Sequence, residues 1–569
     1  MTAATTHSAP LAKLAERYWR FQCAEFPLTA IMAGETVEGD VLMRDAPADH
    51  ERRAVWARQA LAELDRIAPD ELDGDDRVTH TLLHRELQGL VDTIRVRAHL
   101  RPSLYPLGPD FALATWSRMT SLSTMEDTHR YVARLRTVPN AFADICTCLR
   151  EGVAAGIRYP TLVIDRAVAV GRGMLGLPLD QSPFVGPLLA WRQLKPAFGK
   201  IAVEGQTVVE NEVLPAFARY CDFLDTELRT VARDSLAATD DLGGADFYAF
   251  QIEQNTTLRG DPDDIHALGL AEIERLTAEM LETAAAAGFA DDLDGFRRKL
   301  LTDNSQIAES GEALREQIEI LSKRIDRRIP EFFGRVPRST YGVVSMPEAI
   351  AAAMPPAYAQ PNPADRSAAG IHWITSIPSK LPHYTHLPIA LHEAWPGHLM
   401  HLALIQEMET LPTFRRHGAL RYSACLEGWA LYCERLGEDM GFYDTPEKRY
   451  GRLEMEMWRA VRLVTDTGLH AKGWSRQQAI DCFRENLVLP AETVEAEVDR
   501  YVGLPGQALG YQLGNLRFRA IRAEAEAALG ERFNIRDFHD ALMAAGPVTL
   551  DALEAVMRDW TAAQPAKAA

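Results

Sequence analysis

The sequence lacks every stretch that would tie it to a membrane or to nucleic acid. Nowhere in its 569 residues do 18 uncharged apolar residues follow one another, the length a spanning helix needs. Lys13, Glu16 and Arg17 interrupt the N-terminus before a secretory apolar run can form, which predicts a cytoplasmic protein with no membrane partner. Net charge is −19 and basic residues are scattered; the densest runs, Arg297-Arg298-Lys299 and the Lys323–Arg328 segment, form no phosphate-tracking stripe, so no nucleic-acid partner is expected. Seven cysteines, an odd number spread through a long chain, read as reduced thiols rather than a disulfide framework. Cys146 and Cys148 stand two apart, pointing to different sides of a helix, which argues against a metal hook. There is no G-x-S-x-G or Walker-type loop, and the Gly243-Gly244 pair has no phosphate-loop context. Regular repeats, low-complexity tracts and long heptad series are also missing.

What remains is ordinary globular composition, 47% apolar and 25% charged, with enough apolar residues for a sizeable core. Helical spacing dominates: Leu11, Leu14, Tyr18 and Phe21 near the start, and a run from Ile265 through Leu276 that follows the helix-opening Asp261-Pro262-Asp263-Asp264. Eight prolines between 337 and 382 forbid long helices there, and GIHWITSIPS offers a short strand along a cleft edge. The predicted fold is mainly α with a small β element beside the site. Its three parts are a helical region over 1–334, a Pro-rich irregular or β segment over 335–382, and a helical, site-bearing region over 383–569.

The chemistry concentrates in PHYTHLPIALHEAWPGHLMH. Of the 16 histidines in the chain, five fall within 19 positions, His383, His386, His392, His398 and His401, where about 0.5 would be expected. Imidazole is the commonest metal ligand and the usual proton carrier near neutral pH. His392 is followed by Glu393, as in helical zinc sites where a Glu beside the first ligand acts as base. The second histidine of such sites comes at i+4; here His398 is at i+6, about 240° around a straight helix. Pro396 breaks the helical hydrogen-bond pattern and Gly397 accepts unusual dihedrals, so a bulge at 395–397 can return His398 to the metal. Alternatively His401 is the ligand or its hydrogen-bond partner. His383 and His386 are expected in a Pro-bounded loop ahead of the helix, as cleft-wall residues that meet substrate.

An open catalytic zinc site usually takes a third protein ligand, often a carboxylate. SACLEGWALYCERLGEDMG supplies Glu427 and Glu434, seven apart and nearly on one helix face. Glu427 has the more apolar neighbours, where a carboxylate is costly unless it binds a cation, and Glu434 next to Arg435 is expected to be the better solvated. Glu427 is therefore the favoured ligand.

The blocks HEAWPGH, EGWALYCE, DTGLHAKGW and RYVGLPGQALGYQLG, together with YVARLRTVPNAFADICTCLREGVAAGIRYP, resemble the bacterial family known as domain of unknown function 885. Their order is also similar to that in helical zinc peptidases such as carboxypeptidase Taq and angiotensin-converting enzyme. The resemblance implies a large helical clamshell with a deep channel and a gluzincin-type site, with Zn2+ held by His392, His398 and Glu427 and with Glu393 as general base. In the similar peptidases a tyrosine stabilises the tetrahedral intermediate, a role open here to Tyr501 or Tyr511, either of which could instead be a core aromatic; they flank the turn carrying Gln507, which is expected to bind substrate. Arg462, Asp466 and His470, four apart, line one helix face. Either His470 donates to the oxyanion while Asp466 fixes its tautomer and Arg462 holds a substrate carboxylate, or the three are a surface salt-bridge ladder. The expected function is zinc-dependent hydrolysis of an amide bond in a small peptide. The rival readings are a metal-dependent enzyme acting on a non-peptide amide or specialised metabolite, and a non-catalytic peptide-binding protein.

Overall fold

Asp261 opens a long helix as its sequence predicts. Its carboxylate accepts the Asp263 N–H at 2.8 Å, Pro262 fills the first turn, and the helix runs Pro262–Ala286. Similar helices make up most of the chain, from Ala9–Glu25 to Leu550–Ala563, so the fold is mainly α. The computed structural model describes residues 8–35, 39–194, 199–352, 354–364 and 366–565. Among these no helix is long and apolar enough to cross a membrane, and all seven cysteines are free.

The Pro-rich segment folds into one small sheet of β1 (Tyr341–Ser345), β2 (Ala357–Gln360) and β3 (Gly370–Ile374). The strand order is β1-β3-β2, with β3 parallel to β1 and antiparallel to β2. The central strand is the one expected from GIHWITSIPS. Its Gly370, His372 and Ile374 face inward and the residues between them are only half-buried, the alternation of a strand packed on one face.

Two large apolar cores carry the stability. One gathers Phe142, Leu188, Phe217 and Met280 with Leu453, Val461 and Tyr501. The other joins Leu14, Leu83 and Ile329 to Leu391, Trp429, Phe518 and Leu553. Each core thus draws on residues from both sides of the sheet segment.

The His383–Glu393 helix lies where these cores meet. Tyr384 enters the first, Leu387, Ala390 and Leu391 the second, and Ile389 a third core under the sheet. An all-round apolar helix is stable only when enclosed on every side. Here the enclosing elements are the Ser423–Asp439 and Pro446–Ala471 helices and the sheet. Every residue from Tyr384 to His392 is buried.

Candidate metal centre

The helix that delivers His392 stops at Glu393, because the chain leaves helical geometry at Ala394 (φ −90°, ψ −128°) and Gly397 (φ −69°, ψ −134°). A new helix then starts at His398 and runs to Gln406. Gly397 is required at the break: a Cβ there would lie 1.9 Å from the His392 carbonyl oxygen and 2.4 Å from that of Leu391. Trp429 pins the loop by donating its indole N–H to the Pro396 carbonyl at 3.0 Å. The two extra residues are taken up outside the helix, and the His392 and His398 rings meet edge to face with centroids 4.8 Å apart.

Glu427 completes the group from the Ser423–Asp439 helix. Its Oε2 lies 3.4 Å from His392 Nε2 and 3.5 Å from His398 Nε2. These are the three side chains among the described residues whose ligand atoms converge, all within 4.8 Å of one another. Two ligands ~2.1 Å from a tetrahedral zinc stand about 3.4 Å apart. A charge-assisted hydrogen bond would instead draw such a pair to about 2.8 Å. The spacing and the donor set therefore fit a divalent cation of zinc size.

Glu434, one heptad on, lies on the other side of the same imidazole and meets His392 Nδ1 at 2.8 Å. A carboxylate only accepts, so Nδ1 carries a proton and Nε2 is the nitrogen left to face Glu427 and His398. The expected exposures are reversed. The Glu434 side chain is 2% exposed, whereas that of Glu427 retains 18%. The more solvated glutamate faces the open side, and the enclosed one is held beside the Arg459 guanidinium at 3.8 Å. Electrostatics follow the same lines. Burial opposes a charged His392, but Glu427 and Glu434 outweigh it and raise the imidazole to about 9. Burial likewise opposes the Glu427 carboxylate, and His398 and His392 overcome it, holding the group well below the usual carboxylate range. The cluster attracts positive charge.

Glu393 is half-buried and its charge acts on the neighbouring His392, but its carboxylate makes no hydrogen bond or ion pair among the described residues, so it is free to meet a water. His401 lies outside the converging group. It is buried against Trp429 and held near 3 by burial and by His398. His383 and His386 do not sit in a loop: the helix already begins at His383, directly after the extended Pro382. His386 Nε2 is spent on the Leu381 carbonyl at 3.0 Å, and burial pulls its pKa down to about 4.

The Arg462-Asp466-His470 row is neither the expected relay nor a surface ladder. All three residues are buried. His470 accepts the Ala238 N–H at Nδ1 (3.3 Å) and donates from Nε2 to the Tyr501 carbonyl (2.9 Å), which leaves its ring nothing to offer a substrate. Asp466 takes the Tyr248 hydroxyl at 2.7 Å and the Gly506 N–H at 3.1 Å, not the imidazole. The catalytic role expected of His470 is therefore corrected to a structural one.

Tyr501 is corrected for the same reason. Its hydroxyl donates to Glu497 at 2.6 Å and accepts from Arg462 Nε at 2.9 Å.

Tyr511 is placed differently. The Ser423–Asp439 and Leu509–Leu529 helices cross backbone to backbone at Gly428 and Gly514, where a Cβ on Gly428 would lie 2.5 Å from Gly514 Cα. This crossing brings Tyr511 into the field of Glu427; burial, and then that charge, push its hydroxyl pKa up, so it stays a neutral O–H donor. Arg462 stacks on its ring at 4.4 Å, and Gln507 bonds its hydroxyl while accepting from Arg500 Nη1 at 2.7 Å. Arg462 Nη1 is buried without a partner.

One histidine outside the window was missed. His372 on β3 is 0% exposed, neither ring nitrogen has a partner, and burial followed by the charge of His392 holds it near 3. The available signal was its inward-facing place in the alternation of a strand already expected at the cleft.

No curated protein matches the sequence. Among solved structures, a candidate lipoprotein from Colwellia psychrerythraea is similar at 25% identity and a TM-score of 0.89, over 97% of this chain and 99% of that one. A candidate lipoprotein of unknown function from Shewanella oneidensis shares the fold at 16% identity and a TM-score of 0.72, over 97% and 100% of the two chains. Residues 27–557 match the profile of the family described as bacterial protein of unknown function (DUF885), and the chain belongs to that family.

Proposed function

We propose that the protein is a zinc-dependent hydrolase of amide bonds in small peptides. The observation that carries this reading is that Glu427 Oε2 stands at tetrahedral ligand spacing from both His392 Nε2 and His398 Nε2, with the ligand atoms of all three residues within 4.8 Å of one another. Three protein ligands, rather than four, characterise catalytic sites over structural ones, and a structural site has no use for the unpartnered Glu393 beside it. The resemblance to helical gluzincin-type peptidases is part of the same proposal.

When bound, zinc supplies Lewis acidity toward the scissile carbonyl and lowers the pKa of water toward ~7. The chain supplies the rest. Glu393 takes the proton of the attacking water and returns it to the leaving nitrogen. Glu434 keeps His392 in the tautomer that presents Nε2. Tyr511 donates its O–H toward the carbonyl oxygen as negative charge develops there. Arg462, stacked on the Tyr511 ring, is the nearby cation whose charge would attract a substrate carboxylate.

Elemental analysis of the purified wild type, Glu427→Gln and His398→Ala proteins, each exchanged into zinc buffer, is the first test. One zinc per wild-type chain, lost from both variants, is expected. A peptide library is then screened with Glu393→Gln as control; that variant should keep its zinc and lose about 10²–10⁴-fold in kcat. A wild type free of metal sinks the proposal. Zinc binding without any cleavage leaves a non-peptide amide or pure binding as the function.

A further inference from the structure

Apart from the metal centre, and sharing none of its residues, the chain forms a half-open cavity of about 100 Å³. Its walls come from distant parts of the sequence: the loop at Arg101–Ser103, the Ile157–Pro160 segment, Arg233, and the turn from Val502 to Pro505. Three guanidinium groups line it, those of Arg101, Arg158 and Arg233, against one carboxylate, Asp241. Asp241 is already committed, with Oδ2 to Arg101 Nε at 3.2 Å and Oδ1 to the Arg158 backbone N–H at 3.0 Å.

The arginines are fixed in place but not fully spent. Arg158 gives Nη1 to the Val153 and Ile157 carbonyls, both at 2.8 Å. Arg233 gives Nε to the Arg158 carbonyl at 3.1 Å and Nη1 to that of Ser235. The Nη2 group of each is left without a protein partner among the described residues. Ser103 Oγ, in the same wall, is buried and equally unpartnered. Burial lowers Arg233 against the pull of Asp241 and Asp240, with Arg101 adding to the lowering, and Arg233 adds to the burial that lowers His470. The remaining wall is largely apolar, with Val163, Leu236, Phe247 and Val502, and also includes Gln251 and His470.

We infer that this cavity is a binding site for a small organic anion, a carboxylate on a short branched or aromatic body. The carboxylate takes the free edges of Arg158 and Arg233, and the body lies against Leu236 and Phe247. A preorganised guanidinium pair suits a planar carboxylate, because its N–H groups match the two oxygens. Tethering the arginines to backbone carbonyls in advance reduces the ordering cost of binding.

The test is titration calorimetry on the full-length, zinc-loaded protein with benzoate, benzamide and inorganic phosphate as probes. Benzoate should bind one per chain. Benzamide, which has the body without the charge, and phosphate, which has the charge without the body, should each bind at least tenfold more weakly. Arg158→Gln and Arg233→Gln should each weaken benzoate at least tenfold. Leu236→Trp, which fills the cavity from its apolar side and leaves the arginines untouched, should abolish binding and covers the case in which an arginine variant fails to fold. His398→Ala, which disables the metal centre, should bind benzoate like the wild type. The inference is overturned if benzamide matches benzoate, if Leu236→Trp binds normally, or if His398→Ala loses binding, which would place the anion on the metal. Because the probes read binding alone, the result is independent of whether the protein hydrolyses peptides.

Discussion

Glu434 holds the Nδ1–H of His392 at 2.8 Å, while Glu427, two turns earlier on the same helix, faces Nε2 of that ring at 3.4 Å. One helix thus supplies both the candidate ligand and the group that orients its neighbour, through a seven-residue spacing that keeps both carboxylates on one face.

Glu434→Gln should therefore weaken zinc binding without abolishing it. The amide oxygen can still accept from Nδ1–H, but the charge that makes Nε2 a stronger donor is gone. A 10–100-fold loss in affinity, read by competition with a chromophoric chelator, is expected. An unchanged affinity would mean that the contact is only a packing feature.

The helix crossing at Gly428 and Gly514 admits no side chain. A Cβ on residue 514 would stand 2.1 Å from the Ala424 carbonyl oxygen, a backbone atom with little room to shift. Gly514→Ala should cost about 1–3 kcal/mol, seen as a lower Tm. Since the crossing also sets Tyr511 against Glu427, the surviving folded variant should show a lower kcat with its zinc retained. A variant with wild-type Tm would refute the close approach.

Much of this arrangement was legible in the sequence. The grouping of His392, His398 and Glu427 was legible in the histidine density, in the Pro-Gly break that can return His398 to His392, and in the EGWALYCE block. Exposure and partner choice were not legible. Glu434 was expected in solvent on account of Arg435, yet tertiary packing placed it under Arg459. Arg462, Asp466 and His470 have the i, i+4 spacing of a relay or ladder. Their partners, however, come from Glu497, Tyr248, Ala238 and the 501–506 turn, contacts remote in sequence or across a turn. Spacing along a helix fixes which residues share a face, not what that face meets.

Asp466 gives the stability a pH signature. Burial raises its carboxyl from the ordinary 3.8 to about 7, despite the bonds from Tyr248 and Gly506. The folded state thus binds the proton more tightly than the unfolded state does. The stabilisation is complete below pH ~4 and is lost as pH rises toward about 7. Asp466→Asn keeps an acceptor for both donors and removes the titration. Relative to the wild type it should gain stability between pH 5 and pH 8, on the order of a few kcal/mol, as measured by denaturant unfolding at each pH. Parallel curves for the two proteins would refute this assignment.

His372 is buried with both nitrogens unpartnered, a state that costs about 1–3 kcal/mol for each unsatisfied group. His372→Leu, close in volume, should match or exceed the wild-type Tm. If the imidazole serves the neighbouring centre, the same change should lower kcat, the usual exchange of stability against activity. A clear fall in Tm would show that His372 is instead a packing residue with partners supplied by water.

The backbone crossing of Gly428 and Gly514 has a wider consequence. Where helices are spaced by side chains, their separation drifts as core residues are exchanged over generations. Here the separation is the thickness of two main chains, a length that substitution elsewhere in the core does not alter. Glu427 and Tyr511, each within three residues of the contact, inherit that constancy: the apolar interior can be rewritten around them while their mutual placement is kept.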